Sequence, residues 1–532
     1  MAELSASVDV KEHIGITEKE NRIFNLLLQV KDHFNLQTQI RVAGGWVRDK
    51  LLGKECYDID IALDNILGRE FCEKVNHYYL SVVGEEASEI VDFPSNHDKS
   101  KHLDTARMRL FDISVDFVNL RAEDYSQNSR IPTMTQIREI VKFGTPTEDA
   151  FRRDLTINSL FYNIHTKVVE DFTKKGISHL NSGIIVTPLP PKQTFLDDPL
   201  RVLRSIRFAA RFDFVLDEDL MRAAADDDVR AAMVQKISRE RVGIEIDLMV
   251  SGNRPSKALM FVEKLQLFWS VFTLPNGFDP PLPEKCDRLC VSYMTSSWGL
   301  LGLIGVSLFT GDQRRLCLYA ALFLPFSDTV YRENSGKKAS EILIPVVRYI
   351  FHNSLKLKSS DADTVIDLHR ALHKFLSLLP LLILEHHAES IEVYWEKETV
   401  NISTSSELRV LTGLLLRDIK GFWRAALLLS MLLYPGDISL TESTLPELEK
   451  RTKMFKRIEN KILELGLEEV WEMKLLLDGF DIMDILGLKK GGPIVEEWKQ
   501  ELFRWQLAHP SGTADAFVDW MTENSMKRAR TI

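Results

Sequence analysis

Residues 57–63, Tyr57-Asp58-Ile59-Asp60-Ile61-Ala62-Leu63, alternate acid with aliphatic, and this short run constrains the chain more than any other. On a strand successive side chains face opposite ways, so Asp58 and Asp60 share one face while Ile59 and Ile61 pack behind. Two carboxylates about 7 Å apart along a strand can jointly hold hard cations such as Mg²⁺. A third acid on a neighbouring strand would complete such a site. Asp116, within Ile113-Ser-Val-Asp-Phe-Val-Asn119, is the candidate. Taken alone, the pattern fits a half-exposed edge strand with solvated acids better than a metal site.

The residues upstream change that balance. In Val42-Ala-Gly-Gly-Trp-Val-Arg48-Asp49, Gly44 and Gly45 are predicted to follow a strand over 39–43 and to open a helix. Paired glycines let backbone N–H groups approach phosphate oxygens, and a helix N-terminus favours anions. Arg48 is expected to add a charge-assisted contact. The run is not a Walker loop, because Gly53-Lys54 lacks the spacing and is followed by Glu55. A Gly-Gly pair by itself is more often a turn. Gly-Gly, a short helix and then Asp-x-Asp on the next strand is far more specific.

Two further stretches carry chemistry. Phe151-Arg152-Arg153-Asp154 through Asn158 reads as one helix, with Asp154 and Asn158 four apart on one face. The alternative is surface pairing with Glu148 and Asp149. Asp198-Pro199 reads as a helix start, with Asp at the cap and Pro at the first helical position. On the helix that follows, Val202, Leu203, Ile206, Ala209 and Ala210 form one face. Arg201, Arg204, Arg207 and Arg211 fall on the other. Four arginines on one stripe beside Asp197 and Asp198 exceed what solubility requires.

Over 532 residues the net charge is −10, from 67 Lys+Arg against 77 Asp+Glu. That excludes a general polyanion binder, so a nucleic-acid site must be a local basic surface on an acidic body. The five cysteines are scattered and odd in number, which argues against a disulfide framework and for a reducing compartment. Cys286 and Cys290 are read as two thiols on a helix face. The longest apolar stretches, 298–309 and 425–434, fall short of the ~20 residues that span a membrane. Met1 to Arg22 holds several acids and no apolar core, so it reads as neither signal nor transit peptide. The expectation is a cytosolic or nuclear protein, organellar forms requiring a longer N-terminus. The cluster Lys527-Arg528-Ala529-Arg530 reads as a solvated terminus.

Together these stretches resemble a known family. Gly44-Gly45-x-x-Arg48-Asp49 followed by Asp58-x-Asp60 resembles the nucleotidyltransferase signature of the polymerase-β superfamily. Arg152-Arg153-Asp154-Leu-Thr-Ile-Asn158 resembles the second motif of class II CCA-adding enzymes. Phe195-Leu-Asp197-Asp198-Pro-Leu-Arg201-x-x-Arg204 resembles their base-selecting motif, and Lys236-Ile-Ser-Arg239-Glu240-Arg241-Val-Gly-Ile-Glu245 the motif that buttresses it. Order and spacing agree over residues 40–250, and the wording is similar to eukaryotic, plant-like members. Asp197 stands where many bacterial members carry Glu, which leaves the fine position of this acid open.

The resemblance implies tRNA CCA-end synthesis: a tRNA 3′-hydroxyl attacks the α-phosphate of CTP, twice, then of ATP, and pyrophosphate leaves. It implies two Mg²⁺ ions held by Asp58 and Asp60, ribose contact by Asp154, phosphate or substrate contacts by Arg152 and Arg153, and base reading by Asp198 and Arg201. The last assignment is chemically apt. Cytosine and adenine each offer an exocyclic amine beside a ring-nitrogen acceptor, which a carboxylate and a guanidinium complement. Guanine and uracil present the opposite polarity, and each polar group left unpaired costs about 1–3 kcal/mol. A poly(A) polymerase and a non-catalytic RNA-binding relative are the alternatives; intact Asp58 and Asp60 argue against the second.

The expected fold is α+β, a nucleotidyltransferase head followed by an all-helical remainder. The divisions are an N-terminal helical segment (1–37), the head (38–187), a base-selecting neck (188–252), a body (253–460) and a tRNA-binding tail (461–532), working as a monomer with no membrane contact. Polar Pro94–Thr105 reads as a mobile loop, placed where the family's flexible loop helps the switch from C to A. From about Phe195 the pattern is helical almost throughout. No chemistry is read in 252–460, and His386-His387 is taken as helix surface. In the tail, Leu486-Gly487-Leu-Lys489-Lys490-Gly491-Gly492-Pro493 reads as a Gly-rich turn whose lysines, Lys489 and Lys490, can seat an RNA phosphate. A plain helix–helix connection is the other reading.

Overall fold

The computed structural model describes residues 9–84, 88–93, 105–121, 143–333, 342–383, 391–395, 398–402, 405–434 and 444–529. The stretch read as a loop, Pro94–Thr105, lies outside the described residues except for Thr105, which opens a strand. His386-His387 lies outside them too, as do the side chains of the Lys527–Arg530 cluster. The chain divides into two compact units, Met1–Val271 and Phe272–Ile532.

The first unit begins with α1 (Glu18–His33), closed at its N-terminus by a reciprocal capping box between Thr17 and Glu20. Ile23, Leu26, Leu27 and Val30, at helical spacing, form its buried face. Glu20 is itself buried, and its carboxylate accepts from Trp46 Nε1 at 2.9 Å and Lys50 Nζ at 2.8 Å. This ties α1 to the short helix α2 (Gly45–Leu51).

A seven-stranded mixed sheet follows, in the order β3-β4-β5-β2-β1-β6-β7. The strands are β1 (Ile40–Ala43), β2 (Ile59–Leu63), β3 (Ile90–Phe93), β4 (Thr105–Leu110), β5 (Ile113–Asn119), β6 (Phe161–Asn163) and β7 (Val168–Glu170). β2 runs parallel to β5 and antiparallel to β1. The parallel pair needs a crossover, which α3 (Gly68–Tyr78) supplies, burying Phe71, Cys72 and Val75. Asp60 and Asp116 sit side by side on the interior strands β2 and β5, and the alternating Ile59, Ile61, Val115 and Phe117 are at most 1 % exposed.

Beyond the sheet the first unit is helical. Helix Pro191–Asp197 leads into helix Leu200–Phe212, whose expected apolar residues Val202, Leu203, Ile206, Ala209 and Ala210 are all buried. Helix Arg239–Val250 packs against it. The second unit consists mainly of helices, including Cys286–Ile304, Gly311–Leu322, Ser359–Ile383, Ser405–Ile419, Trp423–Leu433 and Leu445–Glu464. The apolar stretches near 298–309 and 425–434 fall largely within the buried helices Cys286–Ile304 and Trp423–Leu433, and no described helix is long and apolar enough to cross a membrane. Cys286 and Cys290 are buried one helical turn apart, with Sγ atoms 4.0 Å from each other.

The α+β architecture is the expected one, with three local corrections. The region after Phe195 is not wholly helical. A three-stranded sheet joins Phe278–Asp279, Val330–Glu333 and Ile342–Pro345, and a hairpin pairs Ile391–Trp395 with Glu398–Ile402. These strands are short, and a helical period of apolar residues on either side masks them. Phe151–Asn158 is not one helix: helix Pro146–Arg152 stops, and a 3₁₀ turn, Thr156–Asn158, follows. Asp154 Oδ1 takes the Leu155 N–H at 2.8 Å, and the Thr156 N–H goes to Val186 O at 2.9 Å. A short acid competing for local N–H groups ends the helix. Finally, the helix after Asp198 starts at Leu200, with Pro199 at the cap position.

Candidate active site

One cavity of about 840 Å³ in the first unit gathers most of the predicted residues. Its wall contains Gly44, Gly45, Arg48, Asp58, Asp60, Arg152, Arg153, Asp154, Asn158, Asp198, Arg201 and Arg204.

The acidic corner comes from the sheet. Asp58 immediately precedes β2 and Asp60 lies within it. Asp60 stands opposite Asp116 in the parallel register of β2 and β5. One oxygen from each of Asp58, Asp60 and Asp116 can be chosen so that all three lie within 4.8 Å of one another. Burial and the neighbouring Asp58 carboxylate push the Asp60 carboxyl up to about 6, with Arg153 opposing. Three hard oxygen donors converging, with the Asp58–Asp60 repulsion only partly offset, fit a divalent cation. Asp116 has a counter-charge that sequence reasoning missed: Arg107 on β4, its register partner, grips both Asp116 oxygens, at 2.5 and 2.7 Å. The signal was present in 105–110, where Ala106, Met108 and Leu110 are buried and Arg107 alternates with them.

Gly44 and Gly45 follow β1 and open α2, as expected. Gly44 has φ +72°, and a Cβ there would meet Arg153 Nη1 at 2.8 Å. Only glycine allows this turn while the arginine passes over it.

Arg48 does something other than expected. It is 3 % exposed. Its Nε donates to Asp49 Oδ1 at 2.8 Å, and Nη1 donates to Asn158 Oδ1. Its guanidinium lies 4.8 and 4.7 Å from the ring centres of Phe208 and Phe212, which are parallel. Burial depresses its pKa, with Asp49 opposing. Arg48 borders the cavity as a strut between α2 and the arginine helix.

Arg152 and Arg153 share the buried carboxylate of Asp149, so the pairing with Asp149 is internal rather than on the surface. Asp154 accepts from Leu155 N–H, from Asn158 Nδ2 at 3.1 Å and from Arg204 Nε at 2.7 Å. Burial raises its pKa, but Arg204 and these hydrogen bonds outweigh it and hold the carboxylate below its usual range. Arg207 pairs with Glu245 at 2.6 Å and Arg211 with Asp49 at 3.0 Å, so three of the four striped arginines bind acids of neighbouring elements. The fourth, Arg201, donates from Nη2 to Arg152 O at 2.6 Å.

Asp198 has two partners. Oδ1 accepts from the Leu200 N–H at 3.2 Å, a local turn just ahead of the helix, and Oδ2 accepts from Arg241 Nη2 at 2.8 Å. The acid is both a helix-start ligand and part of the cavity wall. Asp197 ends helix Pro191–Asp197, is exposed and does not border the cavity. Lys489 and Lys490 belong to the second unit, where both are exposed between helices Gly479–Leu486 and Pro493–Ala508.

Comparisons with known proteins give the family and the fold. The profile of the poly A polymerase head domain matches residues 40–186. The mitochondrial CCA tRNA nucleotidyltransferase of Candida glabrata is 32 % identical, covering 96 % of both chains. The corresponding mitochondrial enzyme of Saccharomyces cerevisiae is 33 % identical, covering 95 % of this chain and 93 % of its own. Among solved structures, the Bacillus stearothermophilus CCA-adding enzyme in complex with CTP shares the fold. Its TM-score is 0.61 at 18 % identity, over 97 % of this chain and 100 % of its own. The expectation of a cytosolic or nuclear protein is corrected by the first two relatives, both named mitochondrial. The acids before Arg22 were not a guide to compartment.

Proposed function

Since the chain belongs to the CCA tRNA nucleotidyltransferase family, we propose that its cavity adds C, C and A to the 3′ end of tRNA from CTP and ATP, without a nucleic-acid template. The observation that carries this is the convergence of Asp58, Asp60 and Asp116 beside the Gly44–Gly45 turn and the arginine-lined wall. The poly(A) polymerase reading is not favoured by relatives that match over nearly the whole chain. Five divisions, bounded near residues 37, 187, 252 and 460, a monomeric state and an organellar location complete the proposal.

Each residue has a proposed task. Asp58 and Asp60 hold Mg²⁺, with Asp116 as the third carboxylate. Bound there, Mg²⁺ would activate the attacking hydroxyl and stabilise charge on the leaving oxygens. The Gly44 N–H is taken by Leu160 O at 2.9 Å, so the triphosphate is received at the helix start that Gly45 opens. Arg152 and Arg153, half-neutralised by Asp149, supply the remaining positive field for phosphates. A carboxylate offers about four acceptor sites, and three of Asp154's are filled, so capacity for one ribose hydroxyl remains. Arg204 and Asn158 orient that carboxylate. Asp198 accepts the exocyclic amine of cytosine or adenine and Arg201 donates to the ring nitrogen, while Arg241 holds Asp198 in place. Lys489 and Lys490 hold a tRNA phosphate.

The test is substitution at the acidic corner. Asp58→Ala and Asp60→Ala should each abolish both C and A addition to tRNA lacking its 3′ end, with folding intact by circular dichroism. Near-normal rates in either variant would remove the metal site from this account.

A further inference from the structure

Three aromatic rings border the cavity: Trp46, Tyr57 and Phe208. Trp46 is 1 % exposed and Phe208 5 %, so their faces are spent on packing. Tyr57 is 71 % exposed, although it sits one residue before Asp58 at the start of the strand that positions the acidic corner. Its hydroxyl donates to Glu55 Oε2 at 2.7 Å, which restrains the ring by a polar contact and leaves its faces unpacked. An exposed, tethered tyrosine at the cavity wall leaves a large ring face in contact with water and open to a flat partner.

Resting on the function proposed above, we infer that Tyr57 is the stacking platform for the terminal base of the RNA whose 3′-hydroxyl reacts. The opposite requirements of the two substrates lead to this. The incoming nucleotide has the Gly44–Gly45 turn for its phosphates and Asp198 with Arg201 for its base. The primer end must bring a hydroxyl to Asp58 and Asp60, and its backbone is an anion approaching Glu55, Asp58 and Asp60. The cation held by Asp58 and Asp60 would act on the hydroxyl and the arginines on phosphates, so the terminal base needs a hold of its own. Every base has a π-face, and stacking on an aromatic ring accepts different bases in turn. That tolerance is what an enzyme needs if its primer ends first in the tRNA's own last base, then in C, then in C again. Tyr57 and Asp58 line the same cavity, which puts the ring and the carboxylate in reach of one bound RNA end.

The test compares Tyr57→Ala, Tyr57→Phe and Tyr57→Trp in steady-state C addition. The substrate is tRNA lacking its 3′ CCA, with a second preparation whose terminal nucleotide is abasic. Tyr57→Ala should raise KM for tRNA roughly 5- to 100-fold, the range that removing a stacked ring produces, and leave KM for CTP unchanged. Phe and Trp should restore the tRNA KM. The salt dependence of tRNA binding should stay that of wild type, because every phosphate keeps its partner. The abasic end should weaken wild type to the level of Tyr57→Ala and weaken Tyr57→Ala no further. An unchanged tRNA KM in Tyr57→Ala, a raised CTP KM instead, or equal abasic losses in both proteins would overturn the inference. Failure of the wild type itself to add C would overturn the functional reading, a result distinct from any of these.

Discussion

Asp60 on β2 stands directly opposite Asp116 on β5, and Arg107 stands opposite Asp116 on its other side. This row sets the electrostatics of the acidic corner. Asp116 is compensated by Arg107, whereas Asp60 is buried beside Asp58 and its carboxyl sits at about 6 instead of 3.8. A carboxyl raised in the folded state binds protons better folded than unfolded. Its ionisation therefore costs stability, and that cost grows as pH climbs from the ordinary carboxylate value through about 6. Asp60→Asn removes the cost. At pH 7.5 without metal, the variant should be more stable by about 1–3 kcal/mol, a rise in Tm of about 2–6 °C, and inactive. The same sign governs the cation, which competes with the proton on Asp60. The Mg²⁺-induced rise in Tm should be present at pH 7.5, shrink as pH falls through about 6, and be absent in Asp60→Asn at any pH. A pH-independent Mg²⁺ shift would refute this electrostatic picture.

Asp198, one residue before the cap position that Pro199 holds, accepts the Leu200 N–H through Oδ1 and meets Arg241 through Oδ2. Asn caps about as well as Asp, so Asp198→Asn should melt close to wild type. It should nevertheless lose C and A incorporation roughly ten- to hundred-fold, the cost of one mispaired polar group, and misincorporate U or G more often. Asp198→Ala should lose about 0.5–2 kcal/mol of stability as well. Sequencing of products with single nucleotides separates the roles: a silent Asp198→Asn beside an unstable Asp198→Ala would leave Asp198 as a cap only.

Arg48, expected at a phosphate, is made a strut by its surroundings. Arg48→Ala would leave the buried Asp49 and Asn158 without this donor and open the slot beside Phe208 and Phe212. Denaturant unfolding should show a loss of about 3–5 kcal/mol, as for other broken buried pairs. Arg48→Lys should not rescue it, since a single ammonium cannot reach both partners and lie flat against the rings. Unchanged stability with a raised KM for CTP would return Arg48 to the phosphate.

In the second unit, Gly487 closes helix Gly479–Leu486 with φ +65°, and Lys489 and Lys490 follow it, exposed. Changing both lysines to Glu should weaken tRNA affinity more than CTP affinity. It should also flatten the salt slope of tRNA binding by about one for each phosphate the lysines neutralise. An unchanged isotherm would make the turn a plain helix connection.

What the sequence made legible follows from local rules. The helical spacing of Ile23, Leu26, Leu27 and Val30 announces α1, Gly44 and Gly45 the strand-to-helix turn, and the spacing of Val202, Leu203, Ile206, Ala209 and Ala210 the buried face of helix Leu200–Phe212. Most predicted site residues border one cavity because they sit at the ends of such locally specified elements. Several of the misses rest on non-local contacts. Whether Arg48 faces a phosphate or two phenylalanines depends on Phe208 and Phe212, far along the chain. The Arg107–Asp116 pair depends on strand register, and the break after Arg152 depends on Val186 accepting the Thr156 N–H. Helical pattern alone could carry Phe151–Asn158 as one helix, because Asp154 and Asn158 do meet, at 3.1 Å, through a turn instead.

The most direct measurement is the product itself. The protein is incubated with Mg²⁺ and tRNA lacking its 3′ CCA, each nucleotide is offered singly and then CTP with ATP, and the RNA ends are sequenced. The account predicts two C residues with CTP alone and CCA, then arrest, with both nucleotides. Long A tails from ATP alone, or unextended tRNA under every condition, would contradict it.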